Sequence, residues 1–288
     1  MIKDGYDMTK GKRMSVAVML CCFNRKEKTR LCLESILQQI YENSSLNFDI
    51  YVYDDHSTDG TPEMIKSEYP LVTLFEGEGN AYWCKSMHYL MRYARNKKHD
   101  YYFMVNDDVE FYRNAMQVMF ESYYKIGRSC GIVGVCRSKI TGEYTYGGRD
   151  AKQELIAPAK EPQLCNIAEW NCFLVDHEVI SKVGIIDGKY QHAFGDYDYS
   201  FRMIQSEVPI YVATECVGTC ENNSHEGSCA DASLPRWIRF KKLVSPKGLP
   251  FYSYLRYNCR TKGFLKGLRD SMLGYASYVY YIILKKEF

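Results

Sequence analysis

Between Ser15 and Val109 the chain alternates short apolar runs with amphipathic stretches, and this alternation restricts the fold more than any other feature. Ser15–Cys22 (SVAVMLCC), Phe48–Tyr53 (FDIYVY), Leu71–Phe75 and Tyr101–Val105 (YYFMV) have the length and the β-branched or aromatic content of strands. The first, second and fourth are apolar nearly throughout, as expected of strands buried on both faces. Helices fall between them. Glu27–Tyr41 carries Leu33, Ile36, Leu37 and Ile40 at the spacing of one helical face. After DDHSTDGTP a helix starts with Thr61 or Asp59 as its cap and Pro62 in its first turn. Tyr82–Asn96 holds Trp83, Met87, Leu90 and Met91. Strands and helices in strict alternation imply a parallel sheet with right-handed crossovers, a Rossmann-like α/β half.

In such sheets ligands sit beyond the carboxyl ends of the strands. The strand ends here are polar or acidic: Asn24, then Asp54 and Asp55, then Asn106-Asp107-Asp108. Two adjacent acids on a strand end are costly unless a cation shares the site. A divalent metal that also carries a substrate phosphate meets that need, because hard cations take carboxylate oxygens. A solvated turn is the alternative. The first strand is not followed by G-x-G-x-x-G, and G-x-x-x-x-G-K-[ST] is absent, so the glycine cradles of dinucleotide enzymes and P-loop NTPases are excluded.

The next strand is Ile132–Cys136, followed by a TYGGR turn at Thr145–Arg149 and a loop over 151–166. Ala168–Val175 is apolar around Trp170-Asn171, and His177–Val183 is a short helix stopped by Gly184. Asp196 and Asp198 lie where a helix begins in GDYDYSFR, a position that also suits capping acids. Pro209–Thr214 is the last strand. The twelve cysteines form no secreted-domain framework and read as reduced thiols. Cys216, Cys220, His225 and Cys229 form one cluster, with a spacing unlike the usual zinc patterns. Residues 1–13 read as a polar, disordered lead-in without an export signal. The apolar runs fall short of the roughly 18–20 residues of a membrane span. Net charge is uneven: 233–288 holds 12 Lys+Arg against 2 Asp+Glu, while 1–232 holds 25 against 33. A basic tail on an acidic body suits an anionic partner or a solvated helical face.

Taken in order, CCFNR, DDHSTDGT, NDDV, WNCFLV and GDYDYSFR resemble the family 2 inverting glycosyltransferases of GT-A fold, in particular the bacterial surface-polysaccharide and rhamnosyltransferase-like branch. The likeness spans about residues 14–230. It implies a mostly parallel central sheet flanked by helices over 14–232, with a nucleotide-sugar half (14–110) and an acceptor and catalytic-base half (111–232). Residues 233–288 would be a basic helical extension. It further implies a UDP- or dTDP-linked sugar donor, Mg²⁺ or Mn²⁺, and a glycan or lipid-linked acceptor in O-antigen or capsule synthesis.

By this resemblance Asp54 and Asp55 meet the base or ribose, and Cys21 and Asn24 border the nucleotide. Asp107 and Asp108 match the D-x-D element, with Asp108 in contact with the metal and His225 approaching it. Asp196 matches the catalytic base of the E-D-x-D segment, although Gly195 replaces the Glu. Lys85 and Trp83, in the GNAYWCK stretch after the third strand, are placed to flank the diphosphate or sugar, with helix packing the alternative for Trp83. Trp170, Asn171 and Asp198 belong to the acceptor side. The chemistry suits these roles: a metal neutralises the leaving diphosphate, and a carboxylate takes the proton of the attacking hydroxyl.

The expected location is cytoplasmic and peripheral on the inner face of the plasma membrane, with 233–288 meeting an anionic lipid surface. Nucleic acid is not expected as a partner, since no recognition motif accompanies the basic charge. The competing readings are a sugar nucleotidyltransferase, which would want a glycine-rich first loop, and a non-catalytic nucleotide-sugar or membrane-binding module.

Overall fold

The computed structural model of the protein describes residues 2–3, 6–7, 12–42 and 46–284. A small antiparallel sheet, β1 (Ile2–Lys3), β2 (Tyr6–Asp7) and β3 (Lys12–Arg13), lies within the stretch read as a lead-in. The alternating region follows as β4 (Ser15–Cys22), α1 (Lys26–Glu42), β5 (Asn47–Asp54), α2 (Thr61–Glu68), β6 (Val72–Glu76), α3 (Tyr82–Lys97) and β7 (Tyr101–Asn106). Next come β8 (Glu110–Phe111), α4 (Ala115–Ile126), β9 (Gly131–Arg137), β10 (Tyr144–Tyr146) and β11 (Gly148–Arg149). β12 (Gln163–Cys165), β13 (Ile167–Ala168), β14 (Cys172–Asp176), α5 (His177–Val183), α6 (Gly195–Gln205) and β15 (Ile210–Thr219) complete the sheet region. Three helices close the described chain: α7 (Arg236–Leu243), α8 (Phe251–Lys262) and α9 (Phe264–Ile283).

The main sheet runs β12-β15-β9-β14-β7-β4-β5-β6. The pairs β4–β5, β5–β6, β4–β7 and β9–β15 are parallel, and β14 is inserted antiparallel between β7 and β9. The first strand of the alternating region is therefore central. Its chain turns one way to β5 and returns on the other side as β7, and the order reverses between β4 and β7. Register brings Cys21 beside Asn106 and Cys22 beside Asp54, so the polar strand ends meet at that reversal.

The core forms on both faces of the sheet, as the unbroken apolar runs predict. Val16, Val18, Leu20 and Cys22 of β4 pack into one face with Leu33 and Ile36 of α1, Met64 of α2 and Met119 of α4. Ala17, Met19 and Cys21 pack into the other with Met87 and Leu90 of α3 and Tyr199 of α6. The cysteines carry free thiols and most are buried, where they serve as small apolar residues.

Several elements differ from the sequence reading. α4 has an apolar face of Met116, Val118, Met119 and Phe120 that the reading passed over. The loop over 151–166 ends in strand β12, and Ala168–Val175 divides between β13 and β14. The basic segment breaks at Gly263, whose φ of 82° ends α8. Lys285 and Lys286 lie outside the described residues.

Candidate active site

A cleft of about 440 Å³ opens beyond the carboxyl ends of β4 and β7. Such a crevice forms where strand order reverses, because the loops leaving the two strands diverge to opposite faces of the sheet. Cys21, Cys22 and Asp107 at the strand ends, Tyr82 and Trp83 of α3, His192, and the turn Ser245-Pro246-Lys247 between α7 and α8 line it. Trp83 is held by its indole N–H, which donates to Asn106 Oδ1 at 2.8 Å.

Charged groups meet in the cleft lining. Arg25 Nη1 donates to Asp107 Oδ1 at 3.1 Å and to Asp108 Oδ2 at 2.9 Å, so one cationic nitrogen bridges the two carboxylates. Burial raises the Asp107 carboxyl to about 6; Arg25 pulls it down, and Asp108 pushes it up further. Asp107 lines the main cleft, whereas Asp108 lines a smaller hollow with Lys28 and Cys220. Burial lowers the His192 imidazole to about 4, with Lys247 and Arg25 adding to the effect, so His192 is neutral at physiological pH. Its Nδ1 is buried and lacks a hydrogen-bond partner. A buried polar atom left unsatisfied beside two cations is suited to a polar, anionic ligand. Lys247 Nζ stands 5.5 Å from the centroid of the Phe23 ring.

Asp196 occupies the first turn of α6 and does not line the cleft itself. A chain of contacts links them: Trp83 meets Trp170 edge to face at 5.9 Å, and the Trp170 backbone N–H lies beside the Asp196 carboxyl. Burial raises that carboxyl to about 7, the Tyr197 N–H at 2.9 Å opposes this, and nearby Glu169 adds to it. The acid is thus poised to exchange a proton near neutrality. The glycine before it has a packing cause. A Cβ on Gly195 would lie 2.4 Å from Cys84 Sγ, so α3 and α6 approach too closely here for a glutamate.

Several other expected site residues have partners within the chain. Asp55 borders the cleft, but its carboxylate already accepts the Gly79, Ala81 and Tyr82 amides at 3.1, 3.2 and 2.8 Å. Asp54 is fully buried away from the cleft, accepting the Ser57 amide and the Cys22 thiol. Asn24, with a left-handed φ of 51°, ties two loops by accepting the Thr58 amide at 2.7 Å and is not in the cleft lining. Lys85 is exposed on α3 outside the cleft.

On the expected acceptor side, Trp170 is buried, stacked on Phe173, and Asn171 is buried with its amide on Cys220 Sγ. Asp198 is fully buried in an ion network. It accepts Arg202 Nε at 3.0 Å, Arg260 Nη1 at 2.7 Å and the Tyr190 hydroxyl at 2.9 Å. All three are buried. His225 is exposed in the loop after Cys220, where the chain leaves the sheet. Among the described residues no three His, Cys, Asp or Glu side chains gather as a metal set, so neither Asp108 with His225 nor the Cys216, Cys220, His225 and Cys229 cluster forms part of one. Arg25, His192 and Lys247 were not singled out by the sequence reading. Arg25 was visible as the first basic residue after a strand end, and Lys247 as the cation of a Ser-Pro-Lys-Gly turn. Only the fold shows that they meet.

A doubly covered sheet with its cleft at the strand reversal, an acid-ended strand beneath it and a second acid on a following helix define a GT-A glycosyltransferase. The chain belongs to glycosyl transferase family 2, whose family model matches residues 17–184. A comparison with curated protein sequences gave no match. Among solved structures, the fold is similar to that of the mannosyltransferase PcManGT from Pyrobaculum calidifontis in complex with GDP-Man and Mn²⁺, with a TM-score of 0.56 and 16% identity over 94% of this chain and 73% of that one. It is also similar to residues 1–349 of S. aureus TarS in complex with UDP-GlcNAc, with a TM-score of 0.54 and 12% identity over 94% of this chain and 88% of that one.

Proposed function

We propose that the cleft binds a nucleoside-diphosphate sugar and that the protein transfers the sugar, with inversion, to a hydroxyl of a glycan or lipid-linked acceptor in surface-polysaccharide assembly. The observation that carries this reading is that Arg25, Lys247 and the unsatisfied His192 line the same cleft as Asp107, both cations lying close enough to depress the His192 imidazole. A diphosphate answers those groups: its oxygens accept from the two cations and from His192 when Nδ1 carries the ring proton. Complexes with GDP-Man and UDP-GlcNAc in structures of the same fold agree with such a donor.

A divalent cation fits the residues in part. Asp107 and Asp108 already direct one oxygen each to a single cationic nitrogen, and two carboxylates with diphosphate oxygens suffice for Mg²⁺ or Mn²⁺. Asp107 and Asp108 would hold it, with Arg25 turned toward the diphosphate. The cation supplies neutralisation of the charge that develops on the leaving diphosphate. Asp196 acts as base, accepting the acceptor hydroxyl's proton as the oxygen attacks the anomeric carbon. Its carboxyl, near 7, is largely ionised in a slightly alkaline cell and still basic enough to take a proton.

Thermal melting with UDP, dTDP, GDP and CMP, each with and without Mn²⁺, tests the donor site. One nucleoside diphosphate is expected to raise Tm, more strongly with Mn²⁺, and the gain to vanish in Asp107→Asn. No shift with any nucleotide overturns the reading.

A further inference from the structure

α9 has its amphipathicity reversed. The side toward α8 is built from small residues: Gly267, Ser271 and Gly274 recur along it, and Ser271 Oγ accepts from Asn258 Nδ2 at 3.1 Å. The helices come so close that a Cβ on Gly267 would lie 2.4 Å from the Cys259 backbone, and one on Gly274 would lie 2.5 Å from the Tyr254 hydroxyl. The large apolar residues point outward. Leu265, Met272, Ala276, Tyr280 and Ile283 are all exposed, Leu265 at 80%. Their spacing, i, i+7, i+11, i+15 and i+18, keeps them on one face of a 20-residue helix about 30 Å long. An open apolar groove runs beside this stripe between Phe251 and Tyr280.

α7 packs against α9 and repeats the pattern on a smaller scale. Its Arg239 and Leu243 are buried, whereas Trp237, Phe240 and Val244 are exposed at i, i+3 and i+7 with Lys241 among them. Single exposed apolar residues are ordinary, but continuous stripes on two adjoining helices mark a docking face. Charge selects the occupant. Lys241 and Lys266 are exposed beside the stripes, and Arg269, exposed as well, is paired with Asp270 on the same helix, so the face carries net positive charge. No described helix is long and apolar enough to cross a membrane. Apolar stripes flanked by cations, on helices too polar to span, fit the interface of an anionic bilayer.

We propose that α7 and α9 form a docking face for an anionic lipid surface, which presents the cleft to a lipid-linked acceptor. The second clause rests on the proposed transferase reading. It follows from the chain path: Ser245-Pro246-Lys247, which borders the cleft, is the turn that joins α7 to α8. A bilayer seated on these helices thus lies against the same extension that borders the cleft.

Flotation of the full chain with vesicles of neutral phosphatidylcholine, or of the same lipid with 30% phosphatidylglycerol, tests the face. The chain is expected to float with the anionic vesicles, at least tenfold more weakly with neutral ones, and less as salt rises. Leu265→Glu with Met272→Glu, both at exposed positions, should reduce anionic-vesicle binding at least tenfold while leaving Tm and its nucleotide response unchanged. Absence of flotation at low salt, equal binding to neutral vesicles, or binding that survives the double substitution overturns the proposal. So does a dimer that the same substitutions dissolve, since a second copy would then cover the face. Failure of the donor reading is recognised separately, by a chain that floats but does not respond to any nucleotide.

Discussion

At the residue scale, Asp196 concentrates both the proposed chemistry and its cost. Its carboxyl, raised to about 7 against an ordinary 3.8, binds a proton more tightly folded than unfolded. Between those values the native state carries the extra proton, so stability falls as pH rises from 4 to 7, and the full cost is present above 7. Asp196→Asn removes the charge and keeps the shape. It is expected to lower turnover by 10² or more. It should also stabilise the fold by on the order of 2 kcal/mol at pH 8 and by almost nothing at pH 3.5. Urea unfolding at the two pH values checks this, and equal effects at both would show that the carboxyl is not raised. In the unsubstituted protein, kcat should rise with pH through about 7 as the base ionises; a flat profile from pH 5.5 to 8.5 removes Asp196 from that role.

At the element scale, β4 and β7 were legible because burial on both faces writes itself as unbroken apolar runs, and the helices because each shows one apolar face. β4 matches the sequence reading to the residue, and α1, α3, β5 and β7 match to within two. β14 was harder, since an antiparallel strand buried on both faces carries the same apolar signature as a parallel one. The motif acids were legible as positions but not as partners. Asp54, Asp55 and Asp198 sit at the expected strand and helix ends, yet each is occupied by groups from elsewhere in the chain, and sequence spacing does not carry that information. Asp198 is the clearest case, because Arg260, 62 residues away, supplies half of its compensation. Arg260→Ala leaves a fully buried carboxylate with Arg202 and Tyr190 alone. We predict a loss of about 2–4 kcal/mol, measured by denaturant unfolding, with partial recovery in Arg260→Lys. A loss under 0.5 kcal/mol would mean that the network does not join α8 to α6 in solution.

At the scale of the whole molecule, the segment after residue 232 is tied to the sheet region and borders its cleft. Arg256 and Arg260 clamp it to Asp187 and Asp198, and its Ser245-Pro246-Lys247 turn lines the cleft. This explains why a segment with little motif content carries so much positive charge: part of that charge is directed inward. Arg256 and Arg260 neutralise buried or half-buried acids, and Lys247, in the cleft lining, stands over Phe23. Lys247 is exposed, so Lys247→Ala should move Tm by less than 2 °C. If its ammonium meets the diphosphate, the substitution should weaken nucleoside-diphosphate binding about tenfold, the equivalent of one charge-assisted hydrogen bond of roughly 1.5 kcal/mol. The loss should shrink at high salt and for a nucleoside monophosphate, and Lys247→Arg should restore most of it. Calorimetric titration of the three proteins decides the matter. An unchanged affinity in Lys247→Ala would make the turn a steric wall only, and would leave Arg25 and His192 as the anion-binding groups of the cleft.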